Sequence, residues 1–131
     1  MALTRNYPIT VQILDSSAAS VVTGQNGYVI APFRGKIIQA GTLLGGATTT
    51  ADSTVTLSIA GTAVTGGSWV ITQSGSAAGD HDYAATGDSS ANSVISGANI
   101  ANENEAIKFA ITGSGTGGGA VYCYVKFQKL A

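Results

Sequence analysis

Two carboxylates flank the only histidine of the chain in Gly79-Asp-His-Asp-Tyr83. An imidazole between carboxylates is raw material for acid/base work or for a metal site. The pattern stops short of both. Asp80 and Asp82 lack the further oxygen ligands that a calcium loop spaces along its length, and zinc asks for more nitrogen or sulfur than one His and one Cys supply. The stretch reads as a solvated loop tip, with Tyr83 tucking back onto the body. Glu103 and Glu105 in Asn102-Glu-Asn-Glu105 stand immediately before a strand, where a turn takes its polar residues. A pair of glycosidase carboxylates can also come from distant segments, which spacing does not reveal. A serine nucleophile would have to use His81 as its base, and neither Gly66-Gly-Ser68 nor Gly113-Ser-Gly115 makes the G-x-S-x-G elbow. Gly113-Ser-Gly-Thr-Gly-Gly118 matches G-x-G-x-x-G letter by letter, but it opens onto a strand rather than a helix, so it reads as a hairpin loop. No catalytic residue, cofactor site or metal ligand is assigned, and enzymatic activity is not expected.

The composition narrows the field further. A chain of 131 residues is one domain with enough core to fold without staples. Only 10% of its residues are charged and the net charge is -1, so neither a basic nor an acidic partner is implied. Arg5, Arg34, Lys36, Lys108, Lys126 and Lys129 are scattered rather than clustered, which gives no footprint for nucleic acid. No apolar run has the length of a membrane span or of a signal peptide, so the expectation is a protein made in the cytoplasm with no membrane partner. One cysteine leaves no internal disulfide. The 18 glycines would suit a linker, but 44% of the residues are hydrophobic and they recur in alternation, which argues for a fold.

That alternation defines the elements. In Thr54 to Ala60 the residues Val55, Leu57 and Ile59 fall on one face and Thr54, Thr56 and Ser58 on the other, the mark of a strand with one wet side. Similar runs occupy Ile9 to Leu14, Gly27 to Phe33, Lys36 to Leu44, Ser68 to Gln73, Ser93 to Ser96, Ala106 to Thr112 and Ala120 to Gln128. A bend or bulge is expected near Gly41, and a connection across Gly61, Gly66 and Gly67. Gly75 to Ala91 reads as a polar loop. Some eight short strands with glycine-rich turns predict an all-β, single-domain antiparallel β-sandwich of jelly-roll type. Residues 1–8 are read as an N-terminal arm and 9–131 as the sandwich.

The last strand fixes facing. Val121, Cys123, Val125 and Phe127 point to the core, which makes Cys123 a small buried hydrophobe. Tyr122, Tyr124 and Lys126 point outward. A face with two aromatics and little charge suits cross-strand packing or a subunit contact, and these three residues are the expected contact.

The stretches Asp15-Ser-Ser-Ala-Ala-Ser20, Ala31-Pro-Phe-Arg-Gly-Lys-Ile-Ile38, Thr54-Val-Thr-Leu-Ser-Ile-Ala-Gly-Thr-Ala-Val-Thr-Gly-Gly67 and Ser74-Gly-Ser-Ala-Ala-Gly79 follow one another in an order that resembles the small capsid decoration (cement, head-stabilising) proteins of tailed bacteriophages. Asn92-Ser-Val-Ile-Ser-Gly97 and Glu105-Ala-Ile-Lys-Phe109 look like the closing strands of that family. The similarity runs over about residues 8 to 128 and consists of glycine and alternation patterns. It implies a virion protein on the outer capsid surface, present in the host cytoplasm during assembly, that bridges subunits of the major capsid protein as a homotrimer. Leu3, Arg5 and Tyr7 of the arm are the expected capsid contacts. The alternative is a phage head-fibre or tail adhesin or a carbohydrate-binding β-sandwich module, in which Trp69, Tyr83 or the two tyrosines would stack on sugar rings.

Overall fold

The computed structural model describes residues 10–18, 25–117 and 119–130, the first of these as backbone. The arm with Leu3, Arg5 and Tyr7, and the boundary drawn at residue 8, lie outside the described residues.

The chain is an all-β, single-domain sandwich. Its strands are β1 (Thr10–Ala18), β2 (Asn26–Ile30), β3 (Gly35–Leu44), β4 (Thr48–Thr49), β5 (Ser53–Ile59), β6 (Thr62–Ile71), β7 (His81–Ala85), β8 (Ser93–Val94), β9 (Ile100–Ala101), β10 (Ala106–Gly113), β11 (Thr116–Gly117) and β12 (Val121–Lys129). A six-stranded sheet has the order β1-β12-β3-β7-β8, with β9 also on β3, and faces a four-stranded sheet of order β2-β10-β5-β6. The ribbon β4–β11 stands apart from both. Every pairing is antiparallel except β7 with β8. Eight strands have five residues or more: β1, β2, β3, β5, β6, β7, β10 and β12. Counted in chain order, they run first, eighth, third, sixth in one sheet and second, seventh, fourth, fifth in the other.

The expected alternation sets the core. Val55, Leu57 and Ile59 of β5 and Ile107, Phe109 and Ile111 of β10 meet Val121, Cys123, Val125 and Phe127 of β12 and Ile37 of β3, all buried. Trp69 of β6 packs edge-on to Phe109, with ring centroids 6.2 Å apart. Its indole N–H donates to the buried Thr42 hydroxyl of β3 at 3.1 Å. That bond ties one sheet to the other through the core and meets the polar requirement of both side chains.

Two irregularities differ from expectation, each for a physical reason. The bulge in β3 lies at Ile38, where the register against β12 shifts between Lys126 and Phe127, and not at Gly41. Inward residues are therefore Gly35 and Ile37 before it and Ala40, Thr42 and Leu44 after it. In the β5–β6 hairpin the turn is only Ala60–Gly61, both at positive φ (47° and 86°), the left-handed pair that suits the twist of a tight hairpin. Gly66 and Gly67 instead lie within β6, where residues 64–67 bulge opposite Leu57. The bulge reaches sideways: Thr65 pairs with Gly97, and Ser93 Oγ donates to the Gly66 carbonyl at 2.8 Å. An otherwise open edge is thereby covered.

Thr50 is the one β-branched residue at positive φ (78°) among the described residues. The Ala51 N–H donates to the Thr49 carbonyl at 3.0 Å, closing a γ-turn around it, and positive φ there is strained for a branched side chain. Thr50→Gly is expected to raise the free energy of unfolding by about 0.5–1 kcal/mol, the relieved strain outweighing the entropy of the unfolded glycine and one exposed hydroxyl contact. Chemical denaturation measures it, and an unchanged or lowered midpoint would contradict the strain.

Candidate interaction surface

The outer face of the six-stranded sheet is built in rows by the pairing of β12, β3 and β7. Tyr122, Leu43 and His81 are neighbours in one row, Tyr124, Gly41 and Tyr83 in the next, and Lys126, Gln39 and Ala85 in the third. β7 was expected to be a loop tip. It is a strand because the ladder with β3 supplies the order that its own pattern does not advertise: of its inward positions, Asp82 is charged and Ala84, fully buried against the core, is small.

Gly41 is the key to the middle row. A Cβ at this position would stand 2.7 Å from Cε1 of Tyr124 and 2.8 Å from the Asp82 carbonyl oxygen. The missing side chain lets the Tyr124 ring lie across the β3 backbone, a cross-strand aromatic-on-glycine contact. Tyr124 points outward as expected yet is only 3% exposed, whereas Tyr122 is 39% exposed. Tyr122 and the half-buried Lys126 are thus accessible members of the expected contact, and Tyr124 forms its floor.

The Tyr124 hydroxyl accepts from Gln39 Nε2 at 2.5 Å and hydrogen-bonds to His81 Nε2. His81 stacks on Tyr83, with centroids 4.8 Å apart and planes 17° apart, and lies tilted to Tyr124 at 5.3 Å. The Tyr83 hydroxyl donates to Asp88 Oδ2 at 3.0 Å, and Asn92 Oδ1 accepts from the Tyr83 N–H at 2.9 Å. Each ring is held both by contact with a neighbouring ring and by a directed bond, which gives a preorganised aromatic surface of the kind found at interface hot spots.

The electrostatics follow from this packing. Burial lowers the His81 pKa, Asp82 pulls it back up and Lys126 lowers it further. Asp82 is raised by burial, partly offset by its bond from Asn92 Nδ2 at 3.3 Å, with Asp80 raising it and His81 lowering it. Tyr83 is raised by its bond to Asp88, and Tyr124 by burial, offset in part by Gln39. At neutral pH the face therefore presents a neutral imidazole beside one lysine.

The remaining candidates resolve individually. Asp80 Oδ2 accepts from the Ala77 N–H at 2.9 Å, so the two carboxylates around His81 hold the backbone of one loop and Asn92 of another. Glu105 Oε1 accepts from the Asn102 N–H at 3.0 Å, the polar turn expected before β10. The glycine run after Gly113 carries β11 and leads into β12, with no helix behind it. Trp69 is 2% exposed and lies in the core. Gln39, Gly41, His81 and Tyr83 were not foreseen as one cluster; the available signal was the facing of Gly41 and Tyr124, which needs the β3–β12 pairing to be read. No family model, curated protein or solved structure matches the chain.

Proposed function

We propose that this chain is a structural virion protein that decorates the outer surface of a tailed-phage head and stabilises the capsid by bridging major capsid protein subunits. The observation that carries this reading is the outer face of the six-stranded sheet: a cluster of Tyr122, Leu43, His81 and Tyr83 over a floor of Tyr124. Aromatic, weakly charged and preorganised surfaces lose little entropy on docking, which is what a subunit contact needs. The strand order supports a jelly roll, since first-eighth-third-sixth facing second-seventh-fourth-fifth is the order of two interlocked Greek keys. The resemblance read from the sequence supports the phage assignment. Of its stretches, residues 31–38 make the corner from β2 into β3 and residues 54–67 the β5–β6 hairpin.

Function here is mechanical. A protein that binds only the assembled lattice stabilises that lattice by mass action. A homotrimer that contacts several capsid subunits gains effective concentration at each further contact, so weak patches suffice together. Tyr122, Tyr124 and Lys126 supply the contact between copies, and the arm with Leu3, Arg5 and Tyr7 supplies the contact with the capsid. Sugar stacking is disfavoured as the role of Trp69 by its burial.

Tyr122→Asp is the clean test of the subunit contact, because Tyr122 is exposed while Tyr124 holds the sheet surface together. Sedimentation velocity should show association weakened about tenfold or more, the loss typical of an aromatic anchor exchanged for a charge. An oligomer of unchanged affinity would remove this face from the contact. The role itself is tested by adding purified protein to heads that lack it, with and without residues 2–7, and pelleting. Wild-type protein should co-sediment and the truncated form should not; binding to a glycan array without binding to heads would favour the adhesin.

A further inference from the structure

We propose that Gln39, Tyr124 and His81 form a one-way hydrogen-bond relay that fixes the aromatic cover over Gly41 at neutral pH and releases it when His81 takes up a proton, so that the outer face of the six-stranded sheet responds to mild acid. The direction follows from donor counting. Gln39 Nε2 can only donate, and it donates to the Tyr124 hydroxyl at 2.5 Å. The phenol then has its own proton to give, and its other partner is His81 Nε2. With the phenolic proton given to that nitrogen, Nε2 is the acceptor and the imidazole proton stands on Nδ1.

A second proton on His81 reverses the last link. Nε2 becomes a donor aimed at an oxygen that already takes the Gln39 N–H, and the phenolic proton loses its place. The new charge also arises on a face that carries Lys126. The groups around His81 are known from each neighbouring strand: Asp80, Asp82 and Tyr83 at β7, Tyr124 and Lys126 on β12, and the uncharged Gln39, Gly41 and Leu43 on β3. Asp82 favours the proton, while burial and Lys126 oppose it, with burial the largest effect.

The linkage has a definite sign. The folded state holds His81 neutral below the ordinary histidine value of 6.5, so just under that value the unfolded chain binds a proton that the folded chain does not. Stability is full above this value and falls with falling pH until the lowered pKa of the folded state is passed. The chain contains one histidine, so the imidazole titration belongs to His81.

The relay operates whatever the face docks against, so it can hold or fail independently of the decoration role. It is tested by nitrogen-15 NMR of the imidazole, together with tyrosine near-ultraviolet circular dichroism, from about pH 8 to about pH 4 on the wild type and Tyr124→Phe. The expected results are an Nδ1–H tautomer at neutral pH, a wild-type pKa below the ordinary value, a higher one in Tyr124→Phe, and a tyrosine signal that changes with the His81 midpoint. The phenylalanine keeps the ring over Gly41, and the tautomer is read on the wild type alone. An Nε2–H tautomer, a tyrosine signal flat through the histidine titration, or the same pKa in both proteins would overturn the relay.

Discussion

Phe109→Ala is expected to cost about 3–5 kcal/mol of folding stability, the range for deleting a fully buried aromatic ring. Phe109 has no exposed surface and sits on β10, at the centre of the four-stranded sheet between β2 and β5. Its edge supports Trp69, whose N–H reaches across to Thr42, so the cavity also loosens the polar tie between the two sheets. A domain of this size has about 5–15 kcal/mol in total, so the variant should lose a large share of its folded margin. Denaturant titration followed by tryptophan fluorescence measures both effects, because Trp69 is the only tryptophan. A loss under about 1 kcal/mol would mean that the two sheets do not meet at this ring.

Gly66→Ala should be about as damaging for a different reason. Gly66 has φ of +78°, and a Cβ there would lie 1.9 Å from the Val94 carbonyl oxygen. The left-handed backbone costs a non-glycine residue about 1 kcal/mol or more, and a clash against backbone adds about 1–3 kcal/mol because backbone cannot rotate out of the way. Relief requires the β6 bulge to part from the Ser93–Gly97 segment, which breaks the Thr65–Gly97 bridge and the bond from Ser93 Oγ to Gly66. Gly61→Ala serves as the comparison: it too has positive φ, but its Cβ would meet nothing within 4 Å, so it should cost only the backbone strain. Equal losses in the two variants would show that the bulge does not dock on that segment.

These two positions also show what can be read from the residues alone. Phe109 belongs to an alternating run, and period-two alternation exposes an inward face directly, so β5, β10 and β12 and most of the core were legible. Gly66 was legible only as a glycine. Whether it closes a turn or forms a bulge depends on which strand lies beside it, and that is a long-range fact. The same limit governed the surface. Tyr122, Tyr124 and Lys126 could be assigned to the outer face from β12 by itself, but the burial of Tyr124 comes from Gly41 on one neighbour and His81 on the strand beyond. His81–Ala85 gave no strand signal because its inward positions hold Asp82 and Ala84, one charged and the other too small to mark a periodicity.

The proposed decoration role is tested most directly by electron-microscopic reconstruction of tailed-phage heads assembled with this chain. Density fitting sandwiches of 13.0 kDa should cap the outer lattice in groups of three, with the Tyr122 face of each copy against its neighbour and capsid subunits bridged beneath. Heads whose outer lattice carries no such density, or density for this chain found only on the tail, would contradict it.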